Sequence, residues 1–229
     1  MELCFGQHAS AVRREDGEYV LSFPERSELR GDKLLVATGR RPRSAGLGLE
    51  TVGVQLGPHG NVEVDKRLSA AENVWAIGDV NGVWPLTYVG KYQGRVVASN
   101  ILGAPREANY EAVPRVVFTD PQAASVGEAE GEFVSMTLLK DVAKTSTYTR
   151  EYAEKNWFLT LVSDGDRLTG AYALAPEAGE WLQQATLAIR AQVPLEILRD
   201  TIQPFPTFSE AFLHALADHE SMVPAKMPM

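Results

Sequence analysis

The stretch that most limits what this chain can fold into is residues 74–80, where four apolar residues run directly into glycine and aspartate. Val74-Trp75-Ala76-Ile77 has the length and composition of a buried parallel strand, which Gly78-Asp79 ends abruptly. A glycine at a strand end lets a ligand approach the backbone, and a carboxylate can accept hydrogen bonds from hydroxyl groups. The sequence therefore predicts a buried strand that ends at a ligand-binding crevice.

A helix is predicted shortly after this strand. Residues 87–102 follow a helical pattern, and Gly103 is placed to cap the C-terminus of the helix. The free N–H groups and the positive dipole end at the start of such a helix favour a partly anionic ligand. Gly90 and Gly94 are poor helix formers, and either helix–sheet packing or contact with a cofactor would explain them.

Composition narrows the class of protein. The chain has 229 residues, of which 45% are hydrophobic and 23% charged, as in soluble globular proteins of one or two domains. Its net charge of −8 argues against binding to nucleic acid or to a membrane surface. No apolar run approaches the roughly 18 residues that span a bilayer, and no signal-peptide pattern is present, so a cytoplasmic location is expected. The single cysteine, Cys4, excludes an intrachain disulfide, and the sequence shows no metal-ligand cluster.

Other stretches set the order of elements. Asp16-Gly17 between two strand-like runs predicts a hairpin, residues 33–39 predict a second buried strand, and residues 103–114 predict a linker. Strand-like runs follow at 115–118, 123–127, 133–140, 157–162 and 168–174, and helical patterns at 178–192, 195–200 and 209–219. Strands followed by helices, rather than alternating with them, predict an antiparallel α+β layer.

Several motifs together resemble the pyridine nucleotide-disulfide oxidoreductases, which are flavoproteins with two dinucleotide-binding domains. The motifs are Ala37-Thr38-Gly39-Arg40-Arg41-Pro42, Ala76-Ile77-Gly78-Asp79-Val80, Pro85-Leu86-Thr87, Gln93-Gly94-Arg95, Phe118-Thr119-Asp120-Pro121 and Ala124-Ser125-Val126-Gly127. The resemblance implies that Asp79 hydrogen-bonds the FAD chain and that the backbone of Leu86, Thr87 and Tyr88 faces the flavin. It also places Gly39 and Gly78 at the cofactor. The pentapeptide ending at Val80 alone would also fit an ordinary strand turn.

The fold implied by this resemblance is an α/β remnant of a two-dinucleotide-binding-domain flavoprotein, followed by an α+β dimerisation domain with an antiparallel sheet and helices. Residues 1–42 would be the tail of the NAD-binding domain, 43–109 the C-terminal part of the FAD-binding or central domain, and 110–229 the dimerisation domain of a homodimer. In the family a helix usually follows the position of Gly127, whereas only residues 128–132 fill that gap here. We therefore expect that helix to be absent.

The dinucleotide fingerprints of the family are not found in this chain. Gly46-Leu47-Gly48 begins such a pattern, but Thr51 stands where the third glycine belongs, and the segment follows a loop rather than a strand. The resemblance covers roughly the second half of the expected enzyme. We expect the parent protein to use FAD and NAD(P)H, and this chain alone to retain neither.

The catalytic motif of the family is altered. The family carries His-Pro-Thr-x-Ser-Glu, in which the histidine carries a proton, and Phe205 occupies the histidine position here. A phenyl ring cannot transfer a proton, so the resemblance predicts no dithiol–disulfide exchange and assigns no catalytic residue. Quinones and other acceptors of electrons or hydride need no such histidine. Glu210 is open to two interpretations, a vestigial catalytic role or a capping box with Thr207.

Two functions remain open from sequence. The chain is either the C-terminal portion of an FAD-dependent NAD(P)H oxidoreductase, or a non-enzymatic dimerisation module or inactive fragment that cannot bind FAD alone. Phe205 and Phe208 are predicted to lie in the subunit interface, while Trp181 fits an interface and burial within one subunit equally well. His214 is predicted to be a solvated helix residue.

Overall fold

The computed structural model describes residues 3–147 and 156–222, with the side chains of the last helix described as far as His219. The chain divides into two compact units. The N-terminal unit comprises Met1–Asp65 and Ser69–Pro85, and the C-terminal unit comprises Lys66–Leu68 and Leu86–Met229.

The N-terminal unit begins with a three-stranded antiparallel sheet. Its strands are β1 (Ala11–Glu15), β2 (Glu18–Ser22) and β3 (Leu29–Gly31), in spatial order β1-β2-β3. Asp16 and Gly17 both have positive φ, at 48° and 90°, as the tight turn of a right-twisted hairpin requires. The hairpin prediction is confirmed.

The remainder of this unit is mostly loop. β4 (Ser69–Ala71) pairs antiparallel with β5 (Val74–Trp75), and single turns of 3₁₀ helix span Leu49–Val52 and Gly78–Asn81. A small core holds the segments together. It contains Val54, Val62 and Ala76.

Two predicted buried strands in this unit are wrong. Residues 33–39 form no strand, and Leu35 and Val36 are 88% and 71% exposed. Only two residues of the run 74–77 are in a strand, that strand is antiparallel, and Ile77 is 43% exposed. A buried parallel strand needs hydrogen-bonded neighbours along its edges and cover on both faces. The described residues of the unit supply neither, so Leu35, Val36 and Ile77 stay exposed at its surface, and Ala76 is the one residue of the run 74–77 that is buried.

The C-terminal unit opens with the predicted helix, α1 (Thr87–Ile101). Its buried side chains recur at helical spacing and define one packed face. They are Val89, Gln93, Val96 and Val97. Leu102 caps the helix, and Gly103 follows it with a φ of 79°, the left-handed conformation in which helices commonly end.

The centre of this unit is a five-stranded antiparallel sheet of order β6-β7-β10-β9-β8. The strands are β6 (Arg115–Val117), β7 (Gln122–Gly127), β8 (Phe133–Leu138), β9 (Phe158–Ser163) and β10 (Leu168–Ala175). Five of the six residues of β9 are buried, so β9 is covered on both faces. The predicted antiparallel α+β layer is confirmed.

Four helices follow β10 in the chain. They are α2 (Ala178–Trp181), α3 (Gln183–Arg190), α4 (Leu195–Asp200) and α5 (Glu210–Met222). The single helix predicted over 178–192 is thus two helices that meet at Leu182. Residues from the sheet and from these helices form one core. It includes Leu159, Leu161, Ala171, Ala185, Phe212 and Leu216.

The connection between β7 and β8 contains no helix, as predicted, and residues 128–132 form a loop. Glycines shape the approach of this loop to β10. A Cβ atom on Gly127 would collide with the carbonyl oxygen of Thr169, and one on Gly170 would collide with that of Glu128. The two backbones meet where only glycine fits. Among the described helices none is both long and apolar enough to span a bilayer.

Candidate cofactor groove

A groove of about 1190 Å³ opens in the N-terminal unit, between the loop at residues 39–43 and the 3₁₀ turn Gly78–Asn81. Its volume is somewhat above the usual range of small-molecule sites, about 300–1,000 Å³. The lining residues are Gly39, Arg40, Arg41, Pro42, Arg43, His59, Asn61, Asp79, Val80, Asn81, Gly82, Val83 and Pro85.

Asp79 and Arg40 form an ion pair in this groove. The Arg40 Nη1 donates to Asp79 Oδ2 at 2.5 Å, and its Nη2 donates to the carbonyl oxygen of Pro85 at 3.3 Å. The Arg40 side chain is 72% exposed, and the Asp79 side chain is 46% exposed. Among the described residues Asp79 makes no other side-chain hydrogen bond, so its second carboxylate oxygen is available to a ligand hydroxyl.

The turn that carries Asp79 is fixed by its own buried amide. Asn81 is 2% exposed, donates from Nδ2 to the carbonyl oxygen of Ala76 at 3.0 Å, and accepts from the Val83 N–H at 2.8 Å. Gly78 and Gly82 flank the turn with φ of 76° and 75°, a region that favours glycine. These bonds fix the backbone from which the Asp79 side chain projects.

The opposite wall is fixed in a similar way. Ser44 is buried and its hydroxyl donates to the carbonyl oxygen of Gly60, which ties the loop at residues 39–43 to the segment that carries His59 and Asn61. Gly57 and Asn61 are joined by a backbone hydrogen bond of 2.8 Å. The wall therefore presents its cationic side chains from an anchored backbone.

The sequence-predicted site residues fall into two sets. Gly39, with a φ of 92°, and Asp79 line the same groove, and Gly78 immediately precedes Asp79. Leu86 and Thr87 form the start of α1 in the C-terminal unit. The placement of Leu86–Tyr88 against a cofactor stays a prediction.

The hydroxyl of Tyr88 has a partner within its own unit. It donates to the carbonyl oxygen of Pro114 at 2.6 Å, and burial raises the pKa of this phenol above its ordinary value. The side chain thus ties the first turn of α1 to the segment that leads into β6.

Sequence reasoning missed the cationic lining of the groove. Three of the four residues 40–43 are arginines in a chain of net charge −8, and this local reversal of charge was the available signal. His59 and Asn61 had no signal in sequence, because only the fold brings them to Asp79. No group of three or more His, Cys, Asp or Glu side chains within 3–147 and 156–222 is placed to hold a metal ion.

The altered catalytic motif lies at the start of α5. Phe205 is 75% exposed, whereas Phe208 is 3% exposed, with its ring 6.4 Å from that of Trp181. The prediction that Phe208 lies in a subunit interface is wrong, because its side chain is used in the core of its own subunit. Trp181 is half-buried and donates from Nε1 to the carbonyl oxygen of Pro176 at 3.0 Å, which matches burial within one subunit.

The capping box predicted for Thr207 and Glu210 is not formed. The Thr207 hydroxyl donates to the carbonyl oxygen of Pro204 at 2.7 Å, and Glu210 Oε2 is buried without a hydrogen-bond partner among the described residues. The functional role of Glu210 stays a prediction. His214 is exposed, as predicted, whereas His219 is fully buried and contacts the hydroxyls of two serines.

Comparison with known proteins matches both parts of the chain to models of one family. Residues 1–94 match the family described as pyridine nucleotide-disulphide oxidoreductase, and residues 113–216 match the dimerisation domain of the same family. The chain belongs to the pyridine nucleotide-disulphide oxidoreductase family.

Curated members of the family are substantially longer. Mercuric reductase of Shigella flexneri is 38% identical over 203 residues, which cover 85% of this chain and 36% of the relative. Dihydrolipoyl dehydrogenase of Geobacillus stearothermophilus is 33% identical over 214 residues, which cover 90% of this chain and 46% of the relative. The chain thus spans less than half the length of these two family members.

Solved structures share the fold. LpdA of Mycobacterium tuberculosis superposes with a TM-score of 0.83 at 24% identity, covering 93% of this chain and 48% of that structure. The HOCl-induced flavoprotein disulfide reductase RclA of Escherichia coli, in a Cu(II) complex, gives a TM-score of 0.80 at 26% identity, covering 92% of this chain and 49% of that structure. Both likenesses agree with the predicted fold class, a flavoprotein remnant followed by an α+β dimerisation domain.

Proposed function

We propose that the chain is the C-terminal portion of an FAD-dependent NAD(P)H oxidoreductase that does not carry out dithiol–disulfide exchange. The observation that carries this proposal is the position of Asp79, which lies at the start of a fixed turn and lines a groove together with Gly39. The family match of residues 1–94 supports it. A cytoplasmic location belongs to the same proposal.

The groove residues fit a flavin cofactor. The free carboxylate oxygen of Asp79 can accept a hydrogen bond from a hydroxyl of the cofactor chain, and Arg40 holds the carboxylate in place. Apart from each glycine and its chain neighbours, no atom of the described residues lies within 4 Å of a Cβ placed on Gly39 or Gly78, so the backbone at both residues is open to a ligand. When bound, the flavin would supply hydride acceptance from NAD(P)H and electron transfer to an acceptor.

The absence of dithiol chemistry is inferred from Phe205. Its phenyl ring has no group that takes or gives a proton. None of the described histidines lies within the motif to take over proton transfer. His214 is exposed on α5, and His219 is buried between two serines. Acceptors that need no proton carrier, such as quinones, suit this site better.

A second candidate function is a non-enzymatic dimerisation module. The match of residues 113–216 to the dimerisation domain supports it, as do the exposed side chains of Phe118, Ile202 and Phe205 in the same unit. In this case residues 110–229 would form a homodimer, and the chain alone would hold neither FAD nor NAD(P)H.

The test is an acceptor panel assayed with the protein that carries this chain, with FAD and with NADH or NADPH as donor. Menadione, ferricyanide, lipoamide, glutathione disulfide and Hg(II) are compared, the last because some relatives are named mercuric reductase. We expect reduction of the quinone and no reduction of lipoamide or glutathione disulfide. Disulfide reduction as fast as quinone reduction would overturn the proposal. A dimer that neither binds flavin nor oxidises NAD(P)H would establish the second function instead.

A further inference from the structure

We propose that His219 is an acid-sensitive switch that holds the C-terminal half of α5 against the sheet, so that at acidic pH this half of the helix opens while the rest of the unit stays folded. The helix packs there on β8, which forms one edge of the five-stranded sheet, and on β9. The inference concerns the C-terminal unit alone and does not rest on the proposed function.

The first support is the pattern of hydrogen bonds around the ring. His219 is fully buried, with Nδ1 3.1 Å from Ser135 Oγ on β8 and Nε2 in contact with Ser163 Oγ at the end of β9. Ser163 Oγ also accepts the Gly165 N–H at 3.1 Å, so the hydroxyl can donate its own proton to Nε2. Nδ1 then carries the hydrogen of the neutral ring and donates it to Ser135.

A second proton on the ring removes this match. Nε2 becomes a donor, and the Ser163 hydroxyl must turn its own proton away in order to accept from Nε2 and from Gly165 at once. Both serines are fully buried, so no exposed position is open to the displaced proton. Protonation thus disturbs the contact of α5 with the end of β9.

The second support is the positive charge next to the ring. Arg199 on α4 acts on His219, and two of its guanidinium nitrogens, Nε and Nη2, are buried without a hydrogen-bond partner among the described residues. Burial, and then this charge, hold the pKa of His219 below its ordinary value. The closed form of the helix therefore excludes the proton.

None of the described groups around the ring compensates for this charge. Phe133 on β8 contributes an aromatic ring, 6.1 Å away and edge-on. Asp164 follows Ser163, but its Oδ1 accepts from the N–H groups of residues 166 and 167 in the turn after β9. Asp218, beside His219 on α5, is exposed. Because a buried charge without a partner is costly, the ring gains its proton when it reaches water.

The third support is the uneven attachment of α5. Its first half is held in the core by Phe212, whose ring lies 6.1 Å from that of Trp181. Of the described side chains beyond Leu216, only that of His219 is buried. Among these residues the two serine contacts are therefore the main attachment of the C-terminal half, and segments with few buried contacts open locally at low cost.

The experiment is amide hydrogen exchange of the full chain at pH 7.5 and pH 5.5, followed by mass spectrometry. Results are compared as protection factors, which correct for the intrinsic effect of pH on exchange. Protection in the C-terminal half of α5 should fall about tenfold at the lower pH, as expected if the opened state binds a proton with the ordinary pKa of histidine. His219→Gln should abolish the fall, and the control His214→Gln, at an exposed position of the same helix, should retain it.

Exchange in urea below the unfolding transition separates local opening from global unfolding. Local opening exposes little surface, so exchange in α5 should hardly respond to urea, whereas exchange in β9 should accelerate. Equal urea dependence in α5 and β9 would overturn the inference, because α5 would then exchange only when the whole unit unfolds. Unchanged protection between the two pH values would also overturn it, as would the same fall in His219→Gln.

A measurement on the unaltered chain keeps the inference testable if His219→Gln does not fold. The NMR signal of the His219 ring proton on Cε1 should titrate at a clearly lower pH than that of His214. A midpoint equal to or above that of His214 would show that the folded chain accepts the proton without opening, which would overturn the inference.

Discussion

The Asp79 carboxylate pairs with the Arg40 guanidinium at 2.5 Å across a sequence separation of 39 residues. Both side chains are substantially exposed, so the pair adds at most about 1 kcal/mol to stability. Its main effect is geometric. The pair joins the loop at residues 39–43 to the Gly78–Asn81 turn and occupies the Oδ2 oxygen of Asp79.

The first prediction concerns Asp79. Asp79→Asn should weaken flavin binding by the protein that carries this chain about 10- to 100-fold, because a hydrogen bond to a charged acceptor is lost. The free energy of unfolding should change by less than about 1 kcal/mol. Fluorescence titration with FAD measures the affinity. Glu63→Gln removes an exposed carboxylate from the same unit and should leave binding unchanged. Equal affinity in Asp79→Asn and the unaltered protein would refute the role.

The second prediction separates the two phenylalanines at the start of α5. Phe208→Ala should destabilise the chain by about 3–5 kcal/mol, because it leaves a cavity beside Trp181 in the core. Phe205→Ala should change the free energy of unfolding by no more than about 0.5 kcal/mol, since its ring is exposed. Urea unfolding measures both.

Sedimentation of Phe205→Ala tests its predicted place in a subunit interface. If its ring packs against a second subunit, the dimer dissociation constant should rise roughly tenfold or more. The unaltered chain must first sediment as a dimer at micromolar concentration. A dimer of undiminished affinity after the substitution would place the interface elsewhere.

The third prediction is a pH dependence set by His219. Its ring is fully buried, Nδ1 lies 3.1 Å from Ser135 Oγ, and Nε2 contacts Ser163 Oγ. Burial, and then the positive charge of Arg199, lower the pKa of His219 below its ordinary value of 6.5. The unfolded chain therefore binds a proton that the folded chain excludes. Stability should fall as pH drops below about 6.5, by at most about 1.4 kcal/mol per pH unit from this residue.

Urea unfolding at pH 7.5 and at pH 5.5 measures this effect. His219→Gln removes the titration while keeping a side chain that can hydrogen-bond, so the difference between the two pH values should shrink. His214→Gln, on the exposed face of the same helix, is the control and should retain the full difference. An undiminished pH effect in His219→Gln would mean that other groups cause it.

The fourth prediction compares two glycines with similar backbone conformation. Gly127 has a φ of 69° and Gly103 a φ of 79°. Gly103→Ala should cost about 1–2 kcal/mol, which is the strain of a left-handed residue alone. Its Cβ would meet no atom of the described residues within 4 Å beyond its own chain neighbours. Gly127→Ala should cost clearly more, since its Cβ would also collide with the Thr169 carbonyl oxygen. Thermal unfolding compares the stability of the two variants. Equal losses of stability would show that the backbones of β7 and β10 move apart to accommodate the new Cβ atom.

The C-terminal unit could be predicted well from sequence because its strands and helices depend on local signals. The turn at residues 163–166 closes the β9–β10 hairpin, and the pattern that begins at Thr87 gave α1 almost to the residue. Antiparallel neighbours that follow each other in the chain need few distant partners. The break at Leu182 has no comparable signal, since helical periodicity continues through it.

The N-terminal unit could be predicted less well because its apolar runs lack local partners. Leu35 and Val36 have the composition of a buried strand, but burial depends on neighbours that the described part of the unit does not provide. The buried position of His219 was also missed, since only the packing of α5 against β8 and β9 removes it from water. In the groove, sequence predicted a ligand contact for Asp79, which stays a prediction, and the pairing with Arg40 became visible only in the fold.

The exposed segment around Leu35 and Val36, which forms no strand, has a practical consequence for handling the protein. Apolar residues suited to strands, with unpaired backbone groups beside them, can be recruited by any other extended segment, including the same segment of a second molecule. Concentrated preparations should therefore form precipitates rich in cross-strand contacts unless another polypeptide covers this stretch. A lysine in place of Leu35 or Val36 should oppose this pairing through its charge and keep the protein in solution at higher concentration.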